Sequence, residues 1–329
     1  MTPGFPSTEW IWHQGEFIPW DRAQLHVMSH VVHYGSSVFE GIRCYRTPDG
    51  PAVFRLQDHL LRFVRSARIY RMDSGYTLEQ LEEGCLELIR VNGLEECYLR
   101  PITLRGVGAA GLNPAASPIH TYLVCWPWGA YLGAGALEEG VDACVSTWHR
   151  PAPNTLPTQA KAGGHYMNAQ LMKMEAVAGG FSEAIALGTG GLVSEGSGQN
   201  LFLVRDGALI TPQIDGSMLS GITRDSVIKL AADEGIEVRS ENVPREALYT
   251  ADELFFTGTA AEVTPVRSVD RIEVGDGKPG PVTRAMQTAV LEVARGMRPD
   301  RHGWLTPVYR AGEVPAASER APVPAGGPA

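Results

Sequence analysis

Apolar and polar positions alternate between two periods along this chain, and the switches between them outline its elements. AVFRL, residues 52–56, has the apolar run of a strand. It leads into QDHLLRFVRSARIY, where Leu60, Leu61, Val64 and Ala67 recur at helical spacing. LEQLEEGCLELIRVNG is a second amphipathic helix; Thr77 and Gln80 form a capping-box pattern at its start, and Gly93 can close it. CYLRPITL and HTYLVCWPW are rich in β-branched and aromatic residues and predict strands. VDACVSTWHR and EAIAL read as buried strands, and Asp206-Gly207 inside LFLVRDGALITP predicts a hairpin. Further helices are expected over 165–178, 223–234 and 282–296.

This order predicts an α/β (α+β) chain of two domains. Residues 1–130 would form a small N-terminal domain, 131–140 a glycine-rich interdomain loop, and 141–310 a larger domain. From residue 311 the chain is Pro/Ala/Gly-rich without a periodic apolar face, which predicts a disordered tail.

Composition narrows the function. With 329 residues and 44% hydrophobic content, a sizeable core can form. A net charge of −9 gives no electrostatic support for a nucleic-acid partner. No apolar run approaches the ~20 residues of a membrane span, and the start lacks the basic and apolar regions of a signal peptide. The five cysteines are widely spaced and never form C-x-x-C, which fits reduced thiols in a cytoplasm.

Two patterns invite misreading. Gly106, Gly108 and Gly111 satisfy G-x-G-x-x-G after a strand, but Pro114 and Pro118 break the helix that a dinucleotide's pyrophosphate needs. A loop requiring positive φ is the expected reason for these glycines. His26, His30 and His33 fall at i, i+4 and i+7, yet no carboxylate general base stands beside them, so no metal is expected.

Lys161, in LPTQAKAGGHYMNAQ, sits between two alanines ahead of a Gly-Gly pair, with no other charged residue until Lys173, a setting that suits either an ordinary lysine in a tight turn or a lysine used for chemistry. A desolvated lysine holds its proton weakly and can attack a carbonyl. If it carries an aldehyde cofactor such as pyridoxal 5'-phosphate, further parts are required. Gly221, Ile222 and Thr223 in SGITRDSVIKLAADEG offer a helix start for the phosphate, although Thr223 also reads as an ordinary N-cap. TGTAAE, residues 257–262, offers a second turn with the hydroxyls of Thr257 and Thr259. Glu195 in VSEGSGQN is a lone carboxylate suited to the pyridine nitrogen, or a solvated loop residue. Arg62, Arg65 and Arg68 share one helix and otherwise read as a solvated face.

Taken in order, HYGSSVFEGIR, DHLLRFVRSA, YLRP, PWGAYLG, APNTLPTQAKAGGHY, SEGSGQNLF, SGITRDSVIKLA and TGTAAEVTPVRSVD resemble the branched-chain amino acid aminotransferases, fold-type IV pyridoxal-phosphate enzymes. The similarity runs from about residue 9 to 308. It implies a small α/β domain followed by a larger β-barrel-like domain with helices. The resemblance implies Lys161 as the cofactor-bearing catalytic lysine, Glu195 as partner of the ring nitrogen, and Tyr166 near the phenolic oxygen. Arg62, Ile222, Thr223 and Thr259 would hold the phosphate, with Gly198 and Leu219 also lining the cofactor site. Tyr98, Thr259 and Ala260 would bind the substrate α-carboxylate, and Phe39, Tyr98 and Trp128 its side chain. Tyr34 and Leu112 would reach in from a second subunit of a homodimer or hexamer. Arg100 shares a strand face with Tyr98 and is the best-placed cation for glutamate's side-chain carboxylate, the alternative being an ordinary core ion pair. The implied activity is transamination of L-leucine, L-isoleucine and L-valine with 2-oxoglutarate. D-amino acid relatives tend to carry Arg-x-His, whereas Arg100 is followed by Pro101 and Ile102.

Overall fold

The computed structural model of the chain describes residues 6–108, 110–128 and 135–310. They form two compact units. The first holds the described residues up to Trp128 together with Ala160–Gly164 and those from Val293 on; the second holds the described residues from Gly135 to Gln159 and from His165 to Glu292.

The first unit is built on an eight-stranded antiparallel sheet. Its path runs Leu305–Pro307, Gly50–Phe54, Ile42–Thr47, Cys97–Arg105, Ile119–Trp126, Trp10–His13 and Glu16–Pro19, with Ser37–Phe39 pairing onto Cys97–Arg105. The helix Leu56–Ile69 buries Leu56, Leu60, Phe63 and Ala67, a stripe at i, i+4, i+7 and i+11. Leu61 and Val64, expected on that stripe, are only half-buried. Leu78–Val91 starts with the Thr77–Gln80 capping box and ends before Gly93, whose φ is +62°. Both helices contribute to one core with Val38, Ile42, Leu99 and Leu123.

Lys161 and the last strand were expected inside a 141–310 domain; they cluster instead with the first unit. The reasons are backbone pairings. Ala162 bridges Val38, Leu305 pairs with Phe54, and Val308 N–H donates to Pro51 O at 2.9 Å. Of the expected connection at 131–140, Ala136–Glu139 is a short helix and residues 131–134 lie outside the described residues. The tail from 311 also lies outside them.

The second unit carries a nine-stranded mixed sheet. Val141–Val145 pairs in parallel with both Glu183–Leu187 and Glu262–Val269. Glu253–Gly258 follows, then the hairpin Asn200–Arg205/Ala208–Pro212, whose turn residues Asp206 and Gly207 have φ of +50° and +76°. Two positive φ values are what a type I′ hairpin turn demands.

Gly106, Gly108 and Gly111 are not at positive φ, contrary to expectation. Gly106 and Gly108 answer to crowding: a Cβ would lie 2.5 Å from His120 Nε2 at Gly106 and 2.4 Å from Ser117 Cα at Gly108. His26 precedes the helix His30–Tyr34, so the three histidines share no helical face.

Candidate active site

In the first unit, Lys161 is fixed through its backbone. Its N–H donates to Ser66 Oγ at 3.1 Å, and its carbonyl accepts from Phe39 N–H at 3.0 Å. The Gly-Gly pair after it has a steric cause at Gly163, where a Cβ would fall 2.4 Å from Ser37 Oγ. The Lys161 Nζ lies 5.2 Å from the centroid of the Phe39 ring. Its ammonium therefore meets an aromatic face.

Phe39 belongs to a wider aromatic group. On the strand Cys97–Arg105, Tyr98 and Arg100 project to the same face, as period-two geometry requires. The Tyr98 ring centroid is 4.6 Å from that of Trp128 and 5.2 Å from that of Trp126. Arg100 Cζ stands 4.7 Å from the Phe39 centroid, 5.3 Å from Tyr98 and 5.5 Å from Trp126. No carboxylate pairs with Arg100 among the described residues, and its buried Nε has no hydrogen-bond partner there. A core ion pair is thus not its role. Gly41 admits Tyr98, because a Cβ there would lie 1.8 Å from the Tyr98 hydroxyl.

Next to Phe39 in the chain, Glu40 centres a polar cluster of which the sequence singled out only Arg62. Glu40, wholly buried, accepts from Arg62 Nε at 2.6 Å, Arg62 Nη2 at 2.8 Å, His59 Nδ1 at 2.8 Å and Gly41 N–H at 3.2 Å. Burial pushes the Glu40 carboxyl up, but Arg62 and then His59 overcome this and hold it well below the usual carboxylate range. Burial lowers His59 from its ordinary value; Glu40 opposes the shift, while the Arg62 and Lys161 charges reinforce it. His59 is therefore neutral near pH 7. Arg62, read as one of three solvated arginines, is largely buried, whereas Arg65 and Arg68 are exposed.

In the second unit, Glu195 is buried in the strand Val193–Gly196. Its Oε1 is ion-paired with Arg150 Nη2 at 2.9 Å, and its Oε2 accepts from Asn200 Nδ2 at 3.2 Å and Leu219 N–H at 3.3 Å. The solvated-loop reading of Glu195 is thereby excluded. The Leu219 carbonyl accepts from Asn200 Nδ2 at 3.0 Å, tying Glu195 to the segment before the helix Ile222–Asp233. Gly221 is the N-cap of that helix, not Thr223, and no side chain caps it. A Cβ at Gly221 would lie 1.8 Å from Asn200 Oδ1, so close packing selects glycine. Asp225 is the first residue to donate back along this helix, to Gly221 O, so the earlier N–H groups point out of its start.

The hydroxyl of Thr257, in the strand Glu253–Gly258, is buried without a hydrogen-bond partner. Thr259 and Ala260 form the half-buried turn after that strand. Gly198 is exposed, and its N–H donates to Gln199 Oε1 at 3.1 Å. Tyr166 opens the helix Tyr166–Ala178 and packs against the cluster of Cys144, Ala169 and Met172. Tyr34 and Leu112 belong to the first unit and are 47% and 79% exposed. The first unit thus brings Phe39, Tyr98, Arg100, Trp128 and Lys161 together, and the second joins Glu195 to Leu219. The first supplies an aromatic-backed amine; the second supplies a paired carboxylate, an uncapped helix start and an orphaned hydroxyl. Such donors suit a phosphorylated heteroaromatic aldehyde.

Residues 37–269 match the model of the amino-transferase class IV family. The chain belongs to that family. The branched-chain-amino-acid aminotransferase of Salmonella typhimurium is 51% identical over 303 residues, covering 92% of this chain and 98% of that protein. The crystal structure of the Escherichia coli branched-chain amino acid aminotransferase superposes with a TM-score of 0.91 at 51% identity, over 92% of this chain and all of that one. The branched-chain amino acid aminotransferase from Thermobaculum terrenum, in its PLP-form, reaches a TM-score of 0.87 at 34% identity, over 93% of this chain and 100% of its own. The architecture is therefore that of the class IV aminotransferases.

Arg150, Asn200, Glu40 and His59 are the polar residues that sequence reasoning missed. Glu40 did leave a signal, as a lone carboxylate inside the apolar run VFEGI, where burial demands a partner. Arg150 left none, because its proximity to Glu195 is not encoded by spacing.

Proposed function

We propose that this protein is a branched-chain-amino-acid aminotransferase that uses pyridoxal 5'-phosphate to exchange amino groups between L-leucine, L-isoleucine or L-valine and 2-oxoglutarate. The single observation that carries the substrate class is Arg100 among Phe39, Tyr98 and Trp126 without a carboxylate partner among the described residues. Apolar walls accept a branched side chain; the cation compensates the side-chain carboxylate of glutamate, which those walls alone would exclude. The family match and the relatives' names support the same reading.

The chemistry the cofactor supplies when bound is an electron sink for negative charge developing at the substrate α-carbon. In this chain Lys161 is the residue that would carry it, and its Nζ is the base that would take the α-proton. The ion-paired Glu195 holds the protonated ring nitrogen, and Arg150 and Asn200 fix that carboxylate. Arg62, Ile222, Thr223 and Thr259 hold the phosphate, and Gly198, Leu219 and Tyr166 complete the surroundings. Tyr98, Thr259 and Ala260 orient the α-carboxylate.

Tyr34 and Leu112 complete the pocket of a second copy, which makes the active form at least a homodimer. We place the enzyme in the cytoplasm, in keeping with five cysteines that are all free thiols. No helix among the described residues is long and apolar enough to cross a membrane. A panel of L- and D-amino acids with 2-oxoglutarate and purified protein tests the proposal. Amino transfer from L-leucine, L-isoleucine and L-valine is expected; transfer confined to D-amino acids overturns it.

A further inference from the structure

Thr257 carries a hydroxyl to which no role has been assigned so far. The residue is fully buried, and its Oγ1 meets no hydrogen-bond partner among the described residues. A buried hydroxyl left in that state costs the free energy of its lost hydration. Strand preference explains a β-branched residue at 257, but valine would satisfy it without the polar atom. The hydroxyl itself needs another cause.

Strand register places that hydroxyl, and every element involved belongs to the second unit. Between Asn200–Arg205 and Glu253–Gly258, Thr257 stands directly opposite Asn200, and Phe255 opposite Phe202. Opposed residues share a face, as the stacked Phe202 and Phe255 rings do here at 5.1 Å between centroids. The helix Ile222–Asp233 packs on Glu253–Gly258. Asn200 marks which end of the helix meets this row. Its Nδ2 donates to Leu219 O at 3.0 Å, and its Oδ1 fills the space that a Cβ on the N-cap Gly221 would need. Thr257 therefore lies one cross-strand neighbour from the N-cap, with Cβ atoms of such pairs about 5 Å apart.

The first N–H groups of a helix have no acceptor within it and favour negative charge. A hydroxyl beside them lacks an acceptor too, and one anion satisfies both. We infer that Thr257 Oγ1 donates to the phosphate that the helix start Gly221–Thr223 would receive. This rests on the pyridoxal-phosphate reading above and adds to it a binding residue two positions before Thr259. Asn200, opposite Thr257, also donates to Glu195 Oε2 at 3.2 Å. One strand face thus sets the phosphate donor beside the support of the carboxylate assigned to the ring nitrogen.

The proposal predicts opposite effects of one substitution on the empty and the loaded protein. Full-length, cofactor-stripped protein is titrated with pyridoxal 5'-phosphate and separately with pyridoxal, and its Tm is measured with and without inorganic phosphate. Wild-type protein should prefer the phosphorylated form strongly; absence of that preference would sink the cofactor reading itself. Thr257→Val removes the hydroxyl and keeps the shape. It should weaken pyridoxal 5'-phosphate about tenfold, leave pyridoxal nearly unchanged and reduce the Tm gain from inorganic phosphate. The Tm of the empty protein should stay level or rise, because an unpaired buried polar group has been removed. A wild-type affinity ratio in Thr257→Val overturns the proposal, and so does a lower Tm with both ligands weakened alike, the signature of a purely structural hydroxyl. Thr257→Ser and Thr257→Ala keep the test open if valine disturbs the fold. Both lose the methyl and only serine keeps the hydroxyl, so serine should retain the preference and alanine lose it. Equal ratios in those two variants overturn the proposal.

Discussion

Each unit contains a buried glutamate joined to an arginine, and the two pairs are used in opposite senses. In the first unit Glu40 meets four donors, among them both nitrogens on one edge of Arg62, and is spent entirely inward. The arginine is the partner proposed to meet the cofactor's phosphate. In the second unit Arg150 and Asn200 brace Glu195 from either side, and the carboxylate is the partner assigned to the ligand. On the proposed assignment the same type of ion pair would serve a phosphate in one unit and a ring nitrogen in the other.

The strongest perturbation of the first unit is Lys161→Ala. It should abolish the visible absorbance of bound cofactor and reduce turnover roughly ten-thousandfold, with near-native circular dichroism. Normal turnover in that variant would end the pyridoxal-phosphate assignment. The corresponding change in the second unit, Glu195→Gln, should be milder: cofactor binding persists, and the leucine half-reaction slows roughly a hundredfold. An unchanged single-turnover rate would mean that the braced carboxylate of the second unit is structural after all.

A smaller and more selective effect is expected from Arg100→Leu. The 2-oxoglutarate half-reaction should lose about tenfold to a hundredfold, and the leucine half-reaction far less. Equal losses, measured by single turnover of each half, would assign Arg100 to the α-carboxylate or to the fold.

The smallest effect concerns acid stability. His59 has its folded value lowered from 6.5, so the folded state binds fewer protons than the unfolded state, and stability falls as pH drops below about 6.5. Glu40, lowered from 4.5, contributes stability that is present above about 4.5 and is lost on further acidification. His59→Gln should therefore flatten the decline in Tm between pH 7 and 5 while retaining the loss below about 4.5. An unaltered slope between pH 7 and 5 would show that His59 takes up no proton on unfolding.

Much of the fold was legible along the chain. The helices Leu56–Ile69, Leu78–Val91 and Ile222–Asp233 lie within a residue or so of expectation, because long periodic segments with caps specify themselves locally. Unit membership was not legible. Ala160–Gly164 pairs with Ser37–Phe39 across more than a hundred residues, and the short strand Leu305–Pro307 has too few residues to show a period.

The sequence by itself determined the chemistry-bearing residues that stand out by contrast: Lys161 in a charge-poor run, Glu195 among small residues, and Arg100 two positions from Tyr98 on a strand. It also determined the family, since ordered motifs survive in linear form. Only the tertiary structure decided what those residues can do. By spacing alone, without the family resemblance, Arg62 read like Arg65 and Arg68 and Glu195 read equally as a solvated loop residue; the fold sets Glu40 against the one and Arg150 and Asn200 against the other. The glycines at 41, 163 and 221 had no visible cause in the sequence, because the atoms that exclude a side chain there come from Tyr98, Ser37 and Asn200. Charge type is written in the covalent chain. Desolvation and pairing are properties of neighbours, and neighbours exist only once the chain has folded.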